Sequence, residues 1–123
     1  MSFNKVLVTI GSLLIFITSF LHISATDLAS QAATAIQSPF FSAAVKPLWI
    51  TFTSHLIVFS IIAIIIGFKG SPTMQRLLIL IGITPIIDAA MMFYYIGPFL
   101  PELMLVAAGM LLITAGLLKP KTK

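Results

Sequence analysis

The stretch ITPIIDAAMMFYY, residues 83–95, sets one carboxylate, Asp88, inside an otherwise apolar run. The run reaches back to Leu77 without another charge. Apolar segments of about 20 residues are what a helix needs to cross a hydrocarbon core roughly 30 Å thick. Residues 77–96 therefore read as a membrane span. An acid in such a span is costly unless it is protonated, paired or hydrated, so Asp88 needs a reason to be there.

Working outward, three further apolar runs share this character, at about residues 6–23, 48–68 and 103–118. The breaks between them contain Gly, Pro and polar residues: SATDLASQAATAIQSPF, KGSPTMQR and GPFLPE. The last break is short enough to make the third and fourth spans an antiparallel hairpin. The composition agrees, with 59% hydrophobic and 8% charged residues among 123, and a mean hydropathy of +1.16. A soluble domain carries about a quarter charged residues, so this chain cannot cover a water-facing globule. The first run carries Lys5 and small residues near Ser24 and Ala25, as a signal peptide would. Its apolar stretch exceeds the usual 7–15 or so residues of such a segment, so it reads as a retained span.

The fold expected is all-α: an integral membrane, antiparallel four-helix bundle, up-down-up-down, forming a single membrane domain. Asp27 and the weak apolar stripe of Leu28, Ala32, Ala35 and Ile36 add a short surface helix in the first, extracytoplasmic loop. Asp27 is its expected N-cap and Pro39 its end, and it would lie over the outer mouth. With four spans, Lys5, Lys69, Arg76, Lys119, Lys121 and Lys123 share one side and Lys46 alone takes the other. The excess of Lys and Arg marks the cytoplasmic side, which puts both termini there, in an inner membrane of bacterial type. Trp49, Tyr94 and Tyr95 suit the outer interface. The formal charge of +4 does not indicate nucleic acid, because the basic residues sit at span ends rather than on one face. With no Cys, disulfides and thiolate chemistry are excluded.

The helical rise converts position into depth. Asp88 sits about 18 Å up from Arg76, and His55 about 12 Å in from the opposite edge at Pro47, so the two share one depth. His22 and Glu102 lie higher, each about 25 Å from the basic end. All the His, Asp and Glu residues thus fall in the outer half, which suggests an outward-opening polar pocket. Thr84, Asp88 and Tyr95 fall along one stripe of the third span, with Met91 or Met92 between them. Thr51 shares a face with His55, and Thr18 with His22. Pro85 disrupts the helix against the Ile81 carbonyl and opens space near Asp88. Glu102, after Pro101, is ordinary helix-start chemistry, and the Met residues read as soft packing.

The function expected is a small membrane enzyme acting on a lipophilic small molecule. His55, Asp88 and His22 are the candidate catalytic groups. Tyr95, Thr51, Trp49, Met92 and Phe59 are the candidate ligand contacts, with Phe52 and Phe93 as further walls. An imidazole and a carboxylate at one depth can share a proton, as isomerisation, cyclisation or epoxide opening requires. No phosphate loop, nucleotide fingerprint or nucleophile elbow occurs, and no cofactor is expected. Two His with Asp88 and Glu102 would supply ligands for a carboxylate-rich metal site or a bis-His haem, but the paired Glu-x-x-His motif of di-iron bundles is missing. The alternatives are a binder or transporter of a hydrophobic or cationic molecule, and a non-catalytic accessory subunit. Expected partners are membrane lipid, a hydrophobic small molecule, and a second copy or a larger membrane complex.

Overall fold

The computed structural model describes residues 2–118. Of these, 88% are helical and none is in a strand. The order is α1 (Phe3–Ser24), α2 (Thr26–Ala33), α3 (Pro39–Lys69), α4 (Pro72–Gln75), α5 (Leu77–Ile96) and α6 (Leu100–Leu117). Four helices are long and apolar enough to cross a membrane: α1, α3, α4 with α5, and α6. Only 22% to 39% of each span's most apolar stretch is buried within the protein. The rest of each apolar surface needs lipid around it, which fits a multi-pass membrane protein. The lysines at 119, 121 and 123, on which the expected orientation partly rests, lie outside the described residues.

The helix contacts follow small residues. Along α1 and α3 they run from Val8 against Gly67 to His22 against Thr53. The buried face of α3 carries Thr53, Leu56, Ser60, Ala63 and Gly67, a largely small stripe at helical spacing. Helix α5 packs along α6, where a Cβ at Gly82 would stand 2.7 Å from the Gly109 carbonyl oxygen. Any side chain there would push the helices apart. Gly11 brings α1 against Ala108 and Leu112 of α6 in the same way. Helices α3 and α5 touch far more sparingly, leaving a loose seam between them.

At the N-terminal end of α1, Asn4 Nδ2 donates to Gln75 Oε1 at 3.2 Å, and the Lys5 ammonium sits 5.0 Å from the Phe68 ring centre. At the other end, Gly97 takes φ 93° and ψ 179°, a conformation open in practice only to glycine. It turns the chain from α5 into α6 within three residues.

Three local expectations are corrected. Helix α3 begins at Pro39, about four and a half turns before His55, and not at Pro47, about two turns before it; it continues as helix through Pro47 for 31 residues in all. At about 46 Å it is longer than the roughly 30 Å of a bilayer core. Pro39 therefore opens α3, where proline is tolerated at the first position, rather than closing α2. Helix α2 ends at Ala33, and its N-cap is Ala25, with Asp27 in the first turn instead. There the acid still meets the positive end of the helix dipole. Helix α2 folds back on α3, fixed by Ser42 Oγ donating to the Ala33 carbonyl at 2.8 Å. Pro85 is buried, and α5 continues as helix across it.

Candidate functional site

His55 on α3 and Asp88 on α5 meet across the loose seam. Their Nε2 and Oδ2 atoms lie 3.2 Å apart, with 32% and 20% of the side chains exposed. His55 lies off the small-residue stripe that packs on α1, since two residues turn a helix by more than half a circle. That rotation is what aims it at α5. Phe52 and Phe59 meet its ring edge to face, with centroids 4.8 and 5.5 Å away. With Asp88 ionised, it accepts the His55 Nε2 proton and leaves Nδ1 as a free lone pair. A carboxylate-oriented imidazole of this kind can take up and return a proton.

His22 is more deeply placed, 9% exposed. It makes a second centre with α3. Its Nδ1 is 2.8 Å from Thr53 Oγ1, and the Thr53 hydroxyl reaches the Trp49 carbonyl at 3.1 Å. The Trp49 indole N–H donates back to the His22 carbonyl at 2.8 Å. The two rings are stacked, centroids 3.9 Å apart and planes 17° apart. Phe52 stands between the centres, 4.7 Å from His22 and 4.8 Å from His55. Beside His22 lies a cavity of about 330 Å³, lined also by Val45, Leu48, Trp49, Phe52 and Met92. Met92 is one helical turn from Asp88 on α5. A similar cavity, about 320 Å³, lies between α1 and α3 around Thr9, Ser12, Leu13 and Phe16, but no titratable side chain lines it.

The expected site residues thus divide. His55, Asp88 and Phe59 form one contact group; His22, Trp49 and Met92 line the cavity. Thr51 and Tyr95 join neither. Thr51 is on the exposed side of α3. Tyr95 is 73% exposed, edge to face with Tyr94, and Phe93 is 56% exposed. Met91 also faces outward, so Met92 is the inward member of the pair. Thr18 is buried but spends its hydroxyl on the Leu14 carbonyl at 2.8 Å.

The hydroxyl that meets His22 is that of Thr53, which is not among the candidate residues above. Its signal was its place at the head of the small stripe of α3, which marks it as facing α1. Glu102 sits in the first turn of α6 as expected, yet it is only 6% exposed and its Oε2 is buried without a hydrogen-bond partner. Among the described residues, no three His, Asp or Glu side chains gather closely enough to hold a metal ion. No family model, curated protein or solved structure matches this chain.

Proposed function

We propose that the chain is an up-down-up-down antiparallel four-helix membrane protein that performs acid–base chemistry on a lipophilic small molecule, with His55 as the proton-transferring group and Asp88 as its partner. The observation that carries this reading is the 3.2 Å His55–Asp88 contact, partly exposed, at the sparsely packed seam between α3 and α5. A pair that served only to glue helices would be expected to lie sealed in a tight interface. The seam gives a lipid-borne substrate a lateral way in, and the cavity beside Phe52 gives its apolar body a place to rest. Proton removal and return at carbon accounts for a double-bond isomerisation; proton donation to oxygen accounts for epoxide opening or a cyclisation that follows it. None of these needs a nucleotide.

In this reading both termini are cytoplasmic, in an inner membrane of bacterial type, and α2 lies on the extracytoplasmic surface. Lys5, Lys69 and Arg76 support the orientation. A second reading, a binder or transporter of a small molecule, is favoured by the cavity itself. Four spans offer few gates, so transport would call for a homodimer or a larger complex.

Native mass spectrometry of the purified protein beside Asp88→Asn is the test. A reproducible small-molecule adduct on the parent protein, lost in the variant, supports a ligand site at the pair and gives the ligand's mass. Bare protein in both, with a larger protein co-purifying, turns the reading towards an accessory subunit with Asp88 as helix glue.

A further inference from the structure

We infer that the cavity beside His22 binds a protonated lipophilic amine, with one ammonium N–H accepted by His22 Nε2 and the charge set against the Trp49 and Phe52 rings. The Thr53 hydroxyl has a single hydrogen, and the Trp49 carbonyl at 3.1 Å receives it. Both contacts are hydrogen bonds at once only when the Thr53 oxygen accepts from His22, which assigns the imidazole proton to Nδ1, 2.8 Å away. A neutral imidazole protonated on Nδ1 has its lone pair on Nε2. That atom has no hydrogen-bond partner among the described residues, and it is not among the sealed, unpartnered side-chain atoms, which are Asn4 Oδ1, Ser12 Oγ and Glu102 Oε2. It is therefore accessible, on a residue that lines the cavity.

A lone acceptor in an apolar, aromatic cavity selects a ligand with a donor. Three features make that donor cationic rather than a hydroxyl. Aromatic rings attract a desolvated cation. Asp88 lies one helical turn from the lining residue Met92. The one basic side chain beside the lining residues, Lys46, is exposed. His55 stands beyond Phe52, with its Nε2 turned to Asp88. The volume, about 330 Å³, is at the small end of ligand pockets and suits a single aromatic ring with a short chain. The inference does not need His55 or Asp88 to do chemistry.

Trp49 is the only tryptophan, so its emission reads the cavity directly. The full chain in phosphatidylcholine nanodiscs is titrated with 4-phenylbutylamine and, separately, with 4-phenylbutanol. The expected result is a saturable emission change with the amine, and binding of the alcohol weaker by about tenfold or more. His22→Ala should weaken the amine by about tenfold or more. Because that variant also loses the ring stack, Val45→Phe is the second probe. It fills the cavity and leaves the His22–Thr53–Trp49 hydrogen bonds in place, so amine binding should be lost while the far-ultraviolet circular dichroism and the SDS unfolding midpoint stay close to those of the parent. Asp88→Asn should keep saturable amine binding, so a failure of the acid–base reading and a failure of this one are separate results. No saturable change, equal affinity for the alcohol, or unaltered binding by Val45→Phe would overturn the inference.

Discussion

Thr53→Val tests the contact that joins α1 to α3 at the candidate site. Valine keeps the shape of threonine and removes only the hydroxyl. The His22 Nδ1 hydrogen bond of 2.8 Å then has no acceptor, in a place where Thr53 is 2% and His22 9% exposed. Stranding a buried donor costs about 1–3 kcal/mol, while hydrogen bonds between membrane helices average about 0.6 and reach about 1.7 kcal/mol. His22 can recover part of the loss by moving its proton to Nε2, on the cavity side. The expected destabilisation is therefore about 1–2 kcal/mol, a factor of roughly 5–30 in the folding equilibrium. Thr53→Ser keeps the hydroxyl and loses one methyl, and should cost less than about 1 kcal/mol. Reversible unfolding in mixed dodecyl maltoside and SDS micelles, followed by Trp49 emission and far-ultraviolet circular dichroism, measures both. In a His22→Ala background the valine substitution should cost almost nothing, since its partner is gone. If Thr53→Ser is as damaging as Thr53→Val, or if the valine cost survives in the His22→Ala background, the hydroxyl is not what holds these helices.

Asp88→Asn retains an oxygen that can accept from His55, and the pair is partly exposed, so folding should change by less than about 1 kcal/mol in the same unfolding assay. Turnover, once a substrate is found from the adduct mass, should fall by about 10²-fold or more; a variant that unfolds instead marks the pair as structural. Gly109→Val drives a side chain into the Gly82 carbonyl and Ile86, and should cost about 2 kcal/mol or more, read as a lowered SDS midpoint. Trp49→Phe removes the 2.8 Å bond to the His22 carbonyl and should destabilise by about 1 kcal/mol, measured by circular dichroism because the emission probe is gone.

What the sequence determined by itself was set by length, hydropathy and helical rise. Four runs too apolar for water read as spans, and each becomes a helix long and apolar enough to cross a membrane. Counting 1.5 Å or so per residue from the charged ends put His55 and Asp88 at one depth before any helix was placed beside another. Depth needs only one dimension, and the chain carries it. Which way a side chain points around its helix axis, and which helix stands there, depends on neighbours far away in sequence. That is why spacing alone marks Thr51, four residues from His55, and says nothing of Thr53. Both are polar and both lie near His55, but only the packing of the small-residue face of α3 on α1 shows that Thr53 turns inward to His22. The same holds for Tyr95, which shares the Asp88 stripe by spacing yet ends 73% exposed, because α5 at that height has little packed against it. Helix ends misled for a different reason. Pro47 marks the edge of the apolar run in the sequence, whereas the helix itself starts at Pro39, because a helix tolerates an interior proline when the rest of its length is held by packing, as α3 is by α1. The stack of His22 on Trp49 and the cavity beside it were decided only by the tertiary structure, because they arise where three helices meet and belong to none of them alone.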